Sequence, residues 1–138
     1  MLFRSTHGDF FTIYDFSSIK LTTAMQPVGW TFSTALIGPN APLTSPTDNP
    51  SLWNLTWTYT ASTPIPGSAA LGIFSVLTGI DQLKAGQFTA QATRSVDGTK
   101  LSNIGSVSVP VPESTALFPI VGICAAALFS RLLRHQRA

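Results

Sequence analysis

The chain has 138 residues, 44% of them hydrophobic, with a single cysteine and eight basic against six acidic side chains. One cysteine excludes an intrachain disulfide, and two histidines with six carboxylates leave little from which to assemble a metal centre or a hydrolase triad. The net charge of +2 is no nucleic-acid signature, because through Glu113 five cations face six carboxylates and the excess comes from Arg131, Arg134 and Arg137.

In chain order, the start comes first. Met1 to Asp9 lacks the basic start, the apolar run and the small-residue cleavage site of a secretory signal. From there the chain alternates. Trp30, Phe32 and Leu36 share a face opposite Thr31 and Ser33. Trp53, Leu55, Trp57 and Tyr59 share a face opposite Asn54, Thr56, Thr58 and Thr60. Phe88, Ala90 and Ala92 oppose Gln87, Thr89, Gln91 and Thr93. This period of two, rich in threonine and aromatics, predicts half-buried strands. They are expected near 9–16, 18–23, 29–36, 52–61, 69–77, 86–95 and 101–109. Turn residues separate them at Gln26–Gly29, Gly38–Pro42, Ser45–Pro50, Pro64–Gly67 and Asp97-Gly98. Residues 40–50 are expected as a surface loop, and 80–85 as a link that could hold one helical turn. Short strands without a strand–helix–strand rhythm predict a mainly β body, an antiparallel β-sandwich of jelly-roll type.

The C-terminal part differs in kind. Val107 to Ser114, with Pro110 and Pro112, is expected as a stiff extended linker. Thr115 to Phe129 then carries no charge. As a helix it spans roughly 22 Å, or roughly 28 Å if continued to Leu133. A bilayer core is about 30 Å thick. Arg131, Arg134 and Arg137 follow at once and form a basic stop. The division expected is residues 1–108 as an extracytoplasmic β body, 109–114 as a linker, 115–133 as a single transmembrane helix and 134–138 as a basic cytoplasmic tail. The positive-inside rule sets that orientation.

The order Val-Pro-Val-Pro-Glu-Ser from Val109 to Ser114, then the apolar run, then Arg-Leu-Leu-Arg-His-Gln-Arg, resembles the PEP-CTERM sorting signal. Pro112 and Glu113 match the first two motif positions, and Ser114 stands where the usual motif has its second proline. The resemblance implies an exported protein of the cell envelope or biofilm matrix. Its sorting motif, Val111, Pro112, Glu113 and Ser114, would be processed by a membrane protease of the exosortase type. Gly8 to Phe16, Asn54 to Thr60 and Leu71 to Ser75 also resemble segments found ahead of such signals. An exported protein of this kind is expected to have a signal peptide and one or two strands ahead of Met1. The alternative is a tail-anchored protein with a cytoplasmic bulk, against which the arginines after the helix count.

Candidates for chemistry are few. His7 lies at the start and His135 in the basic tail. Asp9, Asp48 and Asp97 are expected as turn formers, and nothing pairs Asp15 with Asp81 as a glycosidase would require. No Asp-x-Asp-x-Asp spacing offers a calcium loop. The expectation is a non-enzyme without a cofactor, metal or nucleic-acid partner. The Trp53-Leu55-Trp57-Tyr59 row is expected as a core strand. On an exposed face the same row would point to polysaccharide binding. Two functions therefore stand: a non-catalytic surface or matrix protein, and a carbohydrate-binding module at the same location.

Overall fold

A computed structural model describes residues 3–111 of the chain. Nine strands form among them: β1 (Phe3–Ser5), β2 (Phe10–Phe16), β3 (Ile19–Met25), β4 (Trp30–Ala35), β5 (Trp53–Tyr59), β6 (Ile65–Pro66), β7 (Ser75–Thr78), β8 (Leu83–Arg94) and β9 (Lys100–Pro110). All pairings are antiparallel. Seven strands make one sheet in the order β4-β5-β2-β8-β1-β6, with β9 on the other side of β8. The remaining two, β3 and β7, pair with each other. The body is thus mainly β, as the alternating pattern predicts.

The alternation in β5 decides how the sheets meet. Leu55, Trp57 and Tyr59 point to one face and are buried with Trp30 of β4. Phe11, Ile13 and Phe16 of β2 join them, as do Ile19 of β3 and Val76 of β7. Phe74, just ahead of β7, places its ring edge-on to Phe11 and Trp30, each with centroids 5.0 Å apart. Phe11 stacks on Trp57 at 5.1 Å with an 18° tilt. Offset and edge-to-face pairs of this kind contribute about 0.5–1.5 kcal/mol each beyond the area that they bury.

The opposite face of the large sheet is polar, exposed at Thr31 and Ser33 of β4 but not at its centre. Thr12, Thr56 and Thr89 are all buried. The long β4–β5 connection crosses this face and seals Ala41 completely. It is anchored by hydrogen bonds rather than by apolar contact. The Tyr14 hydroxyl lies 2.8 Å from the Pro39 carbonyl, 2.9 Å from Asn40 Oδ1 and 2.9 Å from Thr89 Oγ1. Asn54 Nδ2 donates to Asp48 Oδ1 at 2.9 Å, and the Thr47 amide donates to Gln87 Oε1 at 2.6 Å. Residues 40–50 are a largely exposed surface loop, as the sequence predicts, and these hydrogen bonds tie it to the second face of the sheet.

A second polar cluster locks the step from β1 to β2. Asp9 is 1% exposed. Its Oδ2 accepts from the Thr6 amide at 2.8 Å and from Thr93 Oγ1 at 2.8 Å, and Lys100 Nζ approaches Oδ1 at 2.5 Å. Burial opposes ionisation there, but the hydrogen bonds from Lys100, the Thr6 amide and Thr93 outweigh it and hold the carboxyl below its ordinary range. Asp9 is a clamp joining β1, β8 and β9, beyond the turn role expected of it.

Several boundaries move. β1 lies ahead of the first expected strand, and Ile65–Pro66 pairs with it inside an expected turn. Residues 69–74 are not strand. Residues 83–85 continue β8, so no helical turn forms there. Val109 and Pro110, expected in the linker, are buried and paired with Lys84 and Leu83. The terminal position in the strand explains how a proline is tolerated there. The Asp97-Gly98 turn between β8 and β9 forms as expected, with Gly98 at φ +73° and the Thr99 amide donating to Asp97 Oδ1. The helix expected at 115–133 lies outside the described residues. Among the described residues no helix is long and apolar enough to cross a membrane.

Candidate functional site

Of the sorting motif, the described residues reach Val111. It is half-buried, and its amide donates to the Gln82 carbonyl at 3.0 Å. Pro112, Glu113 and Ser114 lie outside the described residues, as do Arg131, Arg134 and Arg137 of the basic stop.

Within the described body, one cleft combines an exposed aromatic with hydroxyl groups. It has a volume of about 410 Å³ and is lined by Phe16, Ser17, Ser18, Ser51, Leu52, Trp53 and Ile80. The cleft lies where the chain leaves the large sheet for the small one. The β2–β5 ladder loses its regular register between Ile13 and Phe16, then ends on the pair Phe16–Trp53. Asp15 and Ser18 both adopt positive φ, 59° and 52°. Positive φ is uncommon for residues with a side chain and persists only where neighbours enforce it. Here Asn54 Oδ1 accepts from the Asp15 amide, and Asp15 Oδ1 accepts from the Asn49 amide. Thr78 Oγ1 donates to the Ser17 carbonyl at 3.1 Å, which ties the end of β7 to the same crossing.

The opposite wall is set by a tight turn. The Leu52 amide donates to the Asn49 carbonyl, and the Ser51 amide donates to Asn49 Oδ1. The turn presents Trp53 at the cleft, 44% exposed, while Leu55, Trp57 and Tyr59 of the same row are buried. The expected core row therefore holds for three of its four members. Trp53 is the exception, at the last pair of the ladder beyond the register shift in β2. Ser17 Oγ is buried and has no hydrogen-bond partner among the described residues.

No charged side chain lines this cleft. An indole surface flanked by serine hydroxyls suits a neutral, hydroxylated ring. Sequence reasoning placed Trp53 in a core row and did not single out Phe16, Ser17, Ser18, Ser51, Leu52 or Ile80 as lining a cleft. Nothing in their spacing announces them, since the two positive-φ residues and the bulge gather them.

Elsewhere the titratable groups serve structure. Tyr14 has its pKa raised, chiefly by burial, with the Asp48 charge adding to it. Asp97 is held well below the usual carboxylate range by the Arg94 guanidinium and the Thr99 amide. His7 is exposed at the β1–β2 turn. Among the described residues no group of three or more His, Cys, Asp or Glu side chains comes together. The chain matches no protein-family model, no curated protein and no solved structure.

Proposed function

We propose that the chain is an exported, non-catalytic surface or matrix protein whose C-terminal PEP-CTERM-type signal is processed by an exosortase-type membrane protease. In this reading the two sheets facing each other across the aromatic core form a jelly-roll-like β-sandwich, and residues 115–133 cross the membrane. The observation that carries it is the order of the chain. The last strand among the described residues ends at Pro110, and the Val111 amide after it donates to the Gln82 carbonyl. Pro112, Glu113 and Ser114 follow immediately, ahead of an uncharged run closed by Arg131, Arg134 and Arg137. A folded body followed by a short motif and a basic-capped apolar segment is the arrangement that a membrane protease needs. The test is localisation in a host that has an exosortase. A chain ending at Val111 is expected to leave the envelope fraction, and Pro112→Ala with Glu113→Ala is expected to accumulate the unprocessed form. An unchanged distribution for both variants overturns the proposal.

A second reading, exopolysaccharide binding at the same location, is favoured by one observation: Trp53 lies exposed in an uncharged, serine-lined cleft. Titration with neutral polysaccharide is expected to change tryptophan fluorescence, and Trp53→Ala to abolish the change. A response that survives Trp53→Ala removes this reading and leaves the first intact.

A further inference from the structure

Among the described residues, β9 is an outer strand of the large sheet. Two hydrogen bonds fix which of its backbone groups face inward. The Arg94 amide donates to the Thr99 carbonyl at 2.8 Å, and the Val111 amide donates to the Gln82 carbonyl at 3.0 Å. Both pairs share the register of the β8–β9 ladder, which runs unbroken from Leu83↔Pro110 to Thr93↔Lys100. Hydrogen-bonded pairs alternate along an antiparallel ladder. The odd-numbered residues 101–109 therefore turn their N–H and C=O groups toward β8. Ser102, Ile104, Ser106 and Ser108 turn theirs outward, and among the described residues no strand meets them.

Natural sheets blunt such edges with charge, proline, bulges or short strands. β9 has none of these between Leu101 and Val109. The opposite edge is protected by its length. In β4 the Trp30 amide is already bonded to the Pro27 carbonyl, and the Thr60–Gly29 hydrogen bond leaves only Phe32 and Thr34 to face outward.

We propose that the outer edge of β9 pairs antiparallel with the same edge of a second copy of this chain, about a two-fold axis at Gly105. Self-complementarity selects that occupant. With Gly105 on the axis, Ser102 meets Ser108 of the second copy and Ile104 meets Ser106, so outward donors meet outward acceptors from Ser102 to Ser108. Lys100, the strand's one charge, falls opposite Pro110, so no like charges meet. Gly105 would sit at a non-hydrogen-bonded position, where strands approach most closely, and it has no side chain to obstruct. Ile104, 40% exposed, would lie diagonally across from its own copy at about 7–8 Å, within reach of a long side chain. The contact closes on itself and stops at two copies.

Amide hydrogen exchange on the full chain in detergent micelles tests this over a range of protein concentration. The odd-numbered amides of β9 are expected to be protected throughout. The amides of Ser102, Ile104, Ser106 and Ser108 are expected to gain tenfold or more in protection as concentration rises. Ser106→Pro removes one outward donor and no bond to β8, so it should abolish that gain while the odd-numbered amides stay protected. Ile104→Lys should do the same by charge. Nitroxide labels at Ser102 and at Ser108 should report equal distances between copies, about 20 Å, from a stagger of six residues. Free exchange of the even-numbered amides at every concentration overturns the proposal. Protection that persists at high dilution also overturns it, since the edge would then be covered within one chain. Association untouched by both variants, or unequal label distances, would overturn it as well.

Discussion

Replacing Asp9 probes the clamp between β1, β8 and β9. In Asp9→Asn the amide oxygen can occupy the Oδ2 position and keep accepting from the Thr6 amide and Thr93. Its NH₂ group then faces Lys100, which loses its ionic partner and keeps the Thr6 hydroxyl. That ion pair is partly solvated, with Lys100 39% exposed, so its loss is discounted to about 1 kcal/mol. The surviving bonds change from charged to neutral acceptors and weaken by about another 1 kcal/mol. The expected cost is about 2 kcal/mol for Asp9→Asn. Asp9→Ala should cost about 3 kcal/mol, because it strands the Thr6 amide and leaves the Thr93 hydroxyl only the Thr6 hydroxyl as partner. The assay is equilibrium unfolding in guanidinium, followed by tryptophan fluorescence. The pH dependence fixes the cause. Folding lowers the Asp9 pKa, so its contribution is fully present above the unfolded value of 3.8 and is lost as pH falls through the lower folded value. The gap between wild type and Asp9→Asn should therefore be full at pH 7 and shrink on acidification below 3.8. A gap under 0.5 kcal/mol at pH 7, or one that widens in acid, would refute the reasoning.

Trp57→Ala should cost about 3–5 kcal/mol in the same assay, because it empties the centre of the aromatic cluster, whereas the half-exposed Trp53→Ala should cost under about 1 kcal/mol. Tyr14→Phe should cost about 1–2 kcal/mol by freeing the 36–52 connection, with faster amide exchange at Thr47. The Tyr14 pKa is raised on folding, so its contribution is present below the unfolded value of 10.0 and is lost as pH rises through the folded value. Wild type should therefore lose more stability above pH 10 than Tyr14→Phe, measured by urea titration at stepped pH. Gly86→Ala should cost about 1–3 kcal/mol, because a Cβ there would lie 2.7 Å from Val109 Cγ2, seen as a lower thermal midpoint.

Most of the ladder was legible in the sequence because period two survives wherever one face is apolar. β2, β4, β5 and the β8–β9 hairpin all carry it, and Asp97-Gly98 marks their tightest turn. Phe3–Ser5 and Ile65–Pro66 are too short to show any period. The threonine face misled for a physical reason. Alternation reports that one face is apolar, and cannot distinguish a solvated polar face from one sealed by hydrogen bonds, as Thr12, Thr56 and Thr89 are. The same limit applies to the cleft. The row from Trp53 to Tyr59 looks uniform in sequence, and the exposed indole sits at the last pair of the ladder, beyond the register shift in β2. Asp9 was hidden because its partners, Thr93 and Lys100, are more than 80 positions away.

The proposed sorting function reduces to where the mature chain ends. Intact mass determination on protein recovered from an exosortase-bearing host should give a C terminus within or beside Pro112–Ser114, without the peptide Arg131–Ala138. Recovery of the chain at its full mass, with that peptide still attached, would contradict it.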